Sequence, residues 1–139
     1  MSYSNIRKAI QGHIVTNLST GVVPIDKRAW DNVDFTIPSD GSSWIRISVQ
    51  NNISNHKSCG PNKLTRREGI VFIQVFVVKD SETDEANTII DALVAIFETK
   101  LLAGVTFKSP NVREVGLSEG WYQINISVPF WADDITTFS

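Results

Sequence analysis

His56 and Cys59 stand three residues apart in the most polar part of the chain, and an imidazole beside a thiolate is a pair that zinc accepts. A structural zinc site needs about four ligands. The other histidine, His13, sits far away in an apolar-striped segment, and there is no second cysteine. The pair is short of ligands, and His13 reads as a boundary residue on a helix. Nucleophilic chemistry has as little behind it. Cys59 has only nearby lysines to favour its thiolate, and no Gly-x-Ser-x-Gly elbow occurs. The acidic pairs Asp84/Glu85 and Asp133/Asp134 are adjacent in sequence, so in helix or strand their carboxylates diverge and do not face one substrate as acid and base. The first pair suits the positive end of a helix, the second a solvated strand end. Gly60-Pro-Asn-Lys-Leu-Thr65 lacks the glycine spacing of a phosphate loop and the strand that should precede one. The expectation is a protein with no catalytic group, no metal and no cofactor.

Two features remain. Lys57, Lys63, Arg66 and Arg67 follow His56 with no acid before Glu68. A solvated loop accounts for them, and so does contact with phosphates or with an acidic partner surface. No aromatic is interleaved, which argues against sequence-specific RNA or single-strand binding. Non-specific contact with a nucleic-acid backbone from many copies in a ring stays open. The second feature is the four tryptophans, Trp30, Trp44, Trp121 and Trp131. Core is the default place for any one of them. Trp44 and Trp121, however, fall in strand registers opposite the apolar residues, where exposed aromatics anchor interfaces.

The elements that position these groups follow from periodicity. Ile6, Ile10, Ile14 and Leu18 recur every four residues and predict a helix over 4–18, capped by Ser2 or Ser4 and followed by Gly21 and Pro24. Residues 24–38 read as an irregular arm that lays Trp30, Val33, Phe35 and Ile37 over the core, with a short strand at 33–37. A turn follows at 39–43. From Trp44 to Gln50 apolar and polar residues alternate, as in a half-buried strand. Residues 51–68 read as a long, mobile, basic loop, a length that in a compact domain is usually functional or disordered. Gly69–Val78 is β-branched and apolar on both faces, which predicts a central strand covered on both sides or packed against a neighbouring subunit.

A second helix is expected from about Asp84 to Leu102, capped by Ser81 or Thr83, with Ala86, Ile89, Ile90, Leu93, Ile96, Phe97 and Leu101 as its buried stripe. A short strand at 105–108 and a turn-rich link through Pro110 and Gly116 lead to a last strand at 121–130. There Tyr122, Ile124, Ile126, Val128 and Phe130 fall on one side; Trp121, Gln123, Asn125 and Ser127 fall on the other. Pro129 has no amide hydrogen, so it belongs at a sheet edge or where pairing stops. The order predicts an α+β domain: a mostly antiparallel sheet with two helices packed on one face.

Bulk composition agrees with one globular domain spanning 1–139. The chain is 42% hydrophobic and 20% charged, and its net charge of −2 offers no global attraction to nucleic acid or to an anionic membrane. No apolar run approaches the roughly 20 residues that cross a bilayer, and no secretory signal is evident at the amino terminus. One cysteine cannot form an internal disulfide, which fits synthesis in a reducing cytoplasm.

Ala29–Pro38, the strand Trp44–Val49, Gly69–Phe76, the helix with Ile90-Asp-Ala-Leu93 and Phe97, and the ending Gly120–Asp133 follow the first helix in an order that resembles small tail-terminator-like proteins of long-tailed bacteriophages. The resemblance covers nearly the full length, and its most specific pieces are Trp30–Pro38 and the terminal strand. It implies a sheet flanked by helices and a virion protein made in the host bacterial cytoplasm. Such a protein forms a homohexameric ring on the last ring of major tail tube subunits, although the ring need not exist before the tube is met. Capping ends tube growth and presents a surface to the head-completion or connector protein; DNA passing through the lumen is a further contact, and no membrane is involved. The residues expected at contacts are Lys57, Lys63, Arg66 and Arg67 in the loop, with Trp121, Gln123 and Asn125 on the polar strand face. The alternative is a non-virion α+β module that binds nucleic acid or a small molecule, which salt-sensitive binding to random duplex DNA would favour.

Overall fold

The four-residue repeat of Ile6, Ile10 and Ile14 closes into helix α1 (Tyr3–Asn17), and the second stripe into α2 (Thr83–Glu98). In the computed structural model, which describes residues 3–31, 33–38, 42–56, 62–78, 83–98, 104–118 and 120–137, both helices share one core on one face of a six-stranded sheet. The strands are β1 (Arg28–Trp30), β2 (Trp44–His56), β3 (Asn62–Val78), β4 (Val105–Phe107), β5 (Asn111–Ser118) and β6 (Trp121–Thr137). Their order is β1-β2-β3-β6-β4, with β5 also paired to β6. Only β1 and β2 run parallel; every other pair is antiparallel. The expected α+β class therefore holds. Among the described residues no helix is long and apolar enough to cross a membrane.

Strand alternation builds the core. Ile45, Ile47 and Val49 of β2, Val71, Ile73, Val75 and Val77 of β3, and Ile124, Ile126, Val128 and Phe130 of β6 all turn to the helices and meet Ile10, Ile14, Leu93 and Phe97. Each such side chain contributes roughly 1.5–3 kcal/mol by leaving water. The two buried polar residues among those described, His13 and Arg28, serve carbonyls at helix ends. His13 is buried rather than at the boundary: its Nε2 donates to the Ile96 carbonyl at 2.8 Å, one of the last carbonyls of α2, which lack helical partners. Its Nδ1 then accepts from the Asn17 amide at 3.1 Å, so the two contacts together select one neutral tautomer. Arg28 does the same for α1, donating to Leu18 O at 3.0 Å and to Val23 O at 2.8 and 3.1 Å.

At the edge, β1 stops after Trp30, and a charged pair takes over its ladder. The Asp31 carboxylate accepts the Val49 amide at 2.9 Å, while Arg7 donates to the Val49 carbonyl at 3.2 Å and to Asp31 at 3.0 Å. Both main-chain groups of Val49 are thus satisfied without a strand beside them.

Several expectations need correction. Residues 51–56 and 62–68 are strand where a loop was expected, and 57–61 lie outside the described residues: β2 continues to His56 and β3 begins at Asn62, with Ser54↔Arg67, Asn55↔Arg66 and His56↔Thr65 in register after a bulge between Asn51 and Ser54. β6 likewise runs on to Thr137 and pairs with β3 throughout, which places Asp133 and Asp134 inside a strand instead of at its end. Backbone pairing on both sides holds β3 here, so the extension needs no apolar alternation. The link after residue 108 contains β5, and residues 33–38 are unpaired instead of a strand. Pro129 is internal to β6, opposite Ile70. Its carbonyl accepts the Lys108 amide at 2.8 Å, and a residue's N and C=O point to one side of a strand. Its missing N–H therefore faces the gap between β5 (paired through Ser127) and β4 (paired from Phe130), so no ladder bond is lost.

Candidate functional site

The helices cover one face of the sheet and leave the other open. Residues that alternate away from the core there form cross-strand rows: Trp44–Phe76–Gln123, Arg46–Gln74–Asn125, Ser48–Phe72–Ser127 and Gln50–Ile70–Pro129. The second row continues onto both edges, to Ala29 of β1 and to Arg113 of β5. Among these, the β3 and β6 members are half-buried, and so are Val78, Trp121 and Trp131 on the same face. Such a surface, with apolar groups partly exposed among amides and guanidinium groups, resembles the core and rim of a protein interface.

Trp44 departs from expectation. It lies on the open face as its register requires, yet only 2% of it is exposed. It is stacked between Phe76 (4.1 Å) and Phe35 (5.2 Å), with Trp121 edge-on at 6.1 Å and Arg46 5.4 Å from its ring centre. The arm that carries Phe35 folds over it, so Trp44 anchors the arm and is not free to anchor a partner. Trp121, Gln123 and Asn125 are brought together on the open face as expected, with Gln123 donating to Asn125 Oδ1 at 2.8 Å. Arg66 joins the same face, its guanidinium 4.0 Å from the ring centre of Trp131. Arg67, the next residue along β3, alternates to the opposite face and is half-buried. Arg66 and Arg67 therefore do not share a face. Lys63 lies in β3 opposite Thr136, while Lys57 falls outside the described residues, as does Cys59 of the weighed metal pair.

Sequence reasoning missed a cavity of about 320 Å³ at the β1 edge, between the arm and the strand, lined by Trp30, Asp31, Val33, Asp34, Phe35 and Arg46 together with Ala29. The signal lay in two carboxylates spaced between two aromatics. Asp31 is committed to Arg7 and Val49. Asp34 is exposed and has no ion pair among the described residues. Aromatic walls with an unneutralised carboxylate suit a cationic group. Exposed apolar residues gather at both edges: Val33 (61%) and Ile37 beside the cavity, and Val112, Val115 and Leu117 (63%) on β5.

β5 is held to β6 partly by Tyr122. Shielding from water, then the charge of Glu114 and a hydrogen bond to it, push the Tyr122 phenol above its ordinary value. The neutral phenol is the form that the fold favours. Its stabilisation is complete below the unfolded pKa of about 10 and is lost as pH rises through the raised value. Ultraviolet difference titration should show one of the two tyrosines ionising late, and Glu114→Gln should bring it earlier. Two phenols titrating together in the native protein would contradict this contact.

Against known proteins, the sequence matches the family described as phage tail terminator protein over residues 5–130. No curated protein matches the chain. Among solved structures, one that carries no functional name is similar with a TM-score of 0.62 at 18% identity, covering 96% of this chain and 97% of that one. Likeness at that identity establishes the fold alone.

Proposed function

This chain belongs to the phage tail terminator proteins, and from that premise we propose that it closes the tail tube as a ring. It is a structural component of the virion tail. One face of the ring matches the exposed end of the tube of major tail subunits. The other face cannot recruit a further tube subunit, so growth stops, and the head-completion or connector protein docks there instead. The observation that carries the reading is the extent of the family match, which spans every element from α1 into β6. The open sheet face supports it, because a large half-buried surface without a helix over it suits contacts with neighbouring subunits or the tube. Arg66, Trp121, Gln123 and Asn125 lie on that surface and are the contact residues proposed first. Lys57, Lys63 and Arg67 are proposed as secondary contacts, including with DNA in the lumen. A homohexamer in the particle, formed from chains made in the host cytoplasm, completes the picture.

Electron microscopy of particles produced without this protein tests the reading. Tubes longer than normal and lacking heads are the expected result; headed tails of normal length would overturn it.

A further inference from the structure

We propose that the ring closes by insertion of Arg113 of one copy into the cavity at the β1 edge of the next, where Asp34 stands between Trp30 and Phe35. The inference rests on the ring reading above and names the contact that makes the ring. Arg113 and the cavity lie at opposite ends of one cross-strand row, Ala29–Arg46–Gln74–Asn125–Arg113, on the open face. Four strand spacings separate the ends, about 19 Å. Copies set side by side along that row bring one edge of the sheet against the other. Contacts of this kind, between two different surfaces, are the ones that close into rings.

The chemistry of the two ends is complementary. Arg113 is exposed on an edge strand between exposed Val112 and Glu114, and it has no ion pair among the described residues. Across the molecule, Asp34 is an exposed carboxylate without an ion pair, between Val33 and Phe35. Arg46 also lines the cavity, but its guanidinium lies 5.4 Å from the Trp44 ring centre and has no ion pair with Asp34; Asp31 is already paired with Arg7, so Asp34 is the charge left to be met. A guanidinium entering there meets that carboxylate and the faces of Trp30 and Phe35. β1 is parallel to β2, and β5 is antiparallel to β6. With strand direction conserved around the ring, β5 of one copy therefore meets β1 of the next antiparallel.

Charge reversal in the full-length chain tests this by sedimentation and native mass spectrometry over a concentration series. Arg113→Glu and Asp34→Arg each should weaken self-association at least about tenfold. Both sites are exposed, and circular dichroism should show unchanged folds. An equimolar mixture of the two variants should recover association to within roughly threefold of wild type, because each knob then fits the other's socket in an alternating ring. Single variants that assemble like wild type would overturn the contact, as would a mixture no better than its parts. A wild-type chain that stays monomeric at every concentration also overturns it, while tail length in particles lacking the protein decides the terminator reading separately.

Discussion

Gly69→Val is expected to abolish folding, and Gly69→Ala to cost about 3 kcal/mol. Gly69 lies on the helix side of β3, opposite Asn51 of β2 and Phe130 of β6. A Cβ there would come 2.7 Å from Cζ of Phe130 and closer still to the carbonyl oxygen of Gln50. The ring could swing aside, but the carbonyl belongs to the β2 ladder just before its bulge and cannot move without shifting the strand. Valine adds two methyls to the same gap, and the loss then approaches the whole stability of a domain this size. Urea melts followed by tryptophan fluorescence measure it. Phe130→Leu in the Gly69→Ala background should show favourable coupling in a double-mutant cycle, since it relieves the ring contact but not the carbonyl. A Gly69→Ala midpoint equal to wild type would mean that the strands do not approach as described.

Arg28→Met should cost about 2–3 kcal/mol. Its guanidinium is buried, which pulls its pKa below the ordinary arginine value because the charge is held away from water. The carbonyls of Leu18 and Val23 offset that penalty. Removing the donor leaves two buried acceptors unmet, each worth roughly 1–3 kcal/mol. Nη1, however, has no hydrogen-bond partner among the described residues, so methionine also relieves part of the buried charge and the loss stays near the lower end. Arg28→Lys should not recover it, because one ammonium cannot reproduce the planar fork that serves both carbonyls. Amide hydrogen exchange localises the effect: the last turn of α1 should lose protection first. Uniform loss across both helices would point to the core instead.

Much of the fold was legible. The four-residue spacing of Ile6, Ile10 and Ile14 and the alternation around Ile47 and Ile126 are direct consequences of burying one face, and the elements appear where those patterns stand. What escaped was held by other forces. The 51–56 and 62–68 extensions are strands through backbone pairing, so their side chains carry no periodic signal. β5 presents Val112, Val115 and Leu117 to solvent at an edge and is broken by a bulge at Gly116, whose φ of +101° few other residues adopt. The grouping of Trp121, Gln123 and Asn125 followed from alternation alone. Trp44 did not, because its burial depends on Phe35, a residue of the arm with no periodicity to announce it. A loop would let Arg66 and Arg67 meet one partner together; in a strand, adjacency itself separates them.

The pairing of β3 with β6 also bears on how the molecule forms. Every contact of that ladder joins residues far apart in the chain, from Val78 with Trp121 to Asn62 with Thr137. The longest apolar strand can find β2 early, across a short connection, but its other edge has no partner until the chain beyond residue 121 has left the ribosome. Loop closure over such separations is slow compared with helix or hairpin formation. The nascent chain thus passes through an interval in which the β3 edge is open, with Val71, Ile73 and Val75 beside it, and that interval is when strand-to-strand aggregation competes with folding. Yield of native protein should therefore depend on chaperone supply and growth temperature more than on the final stability of the domain.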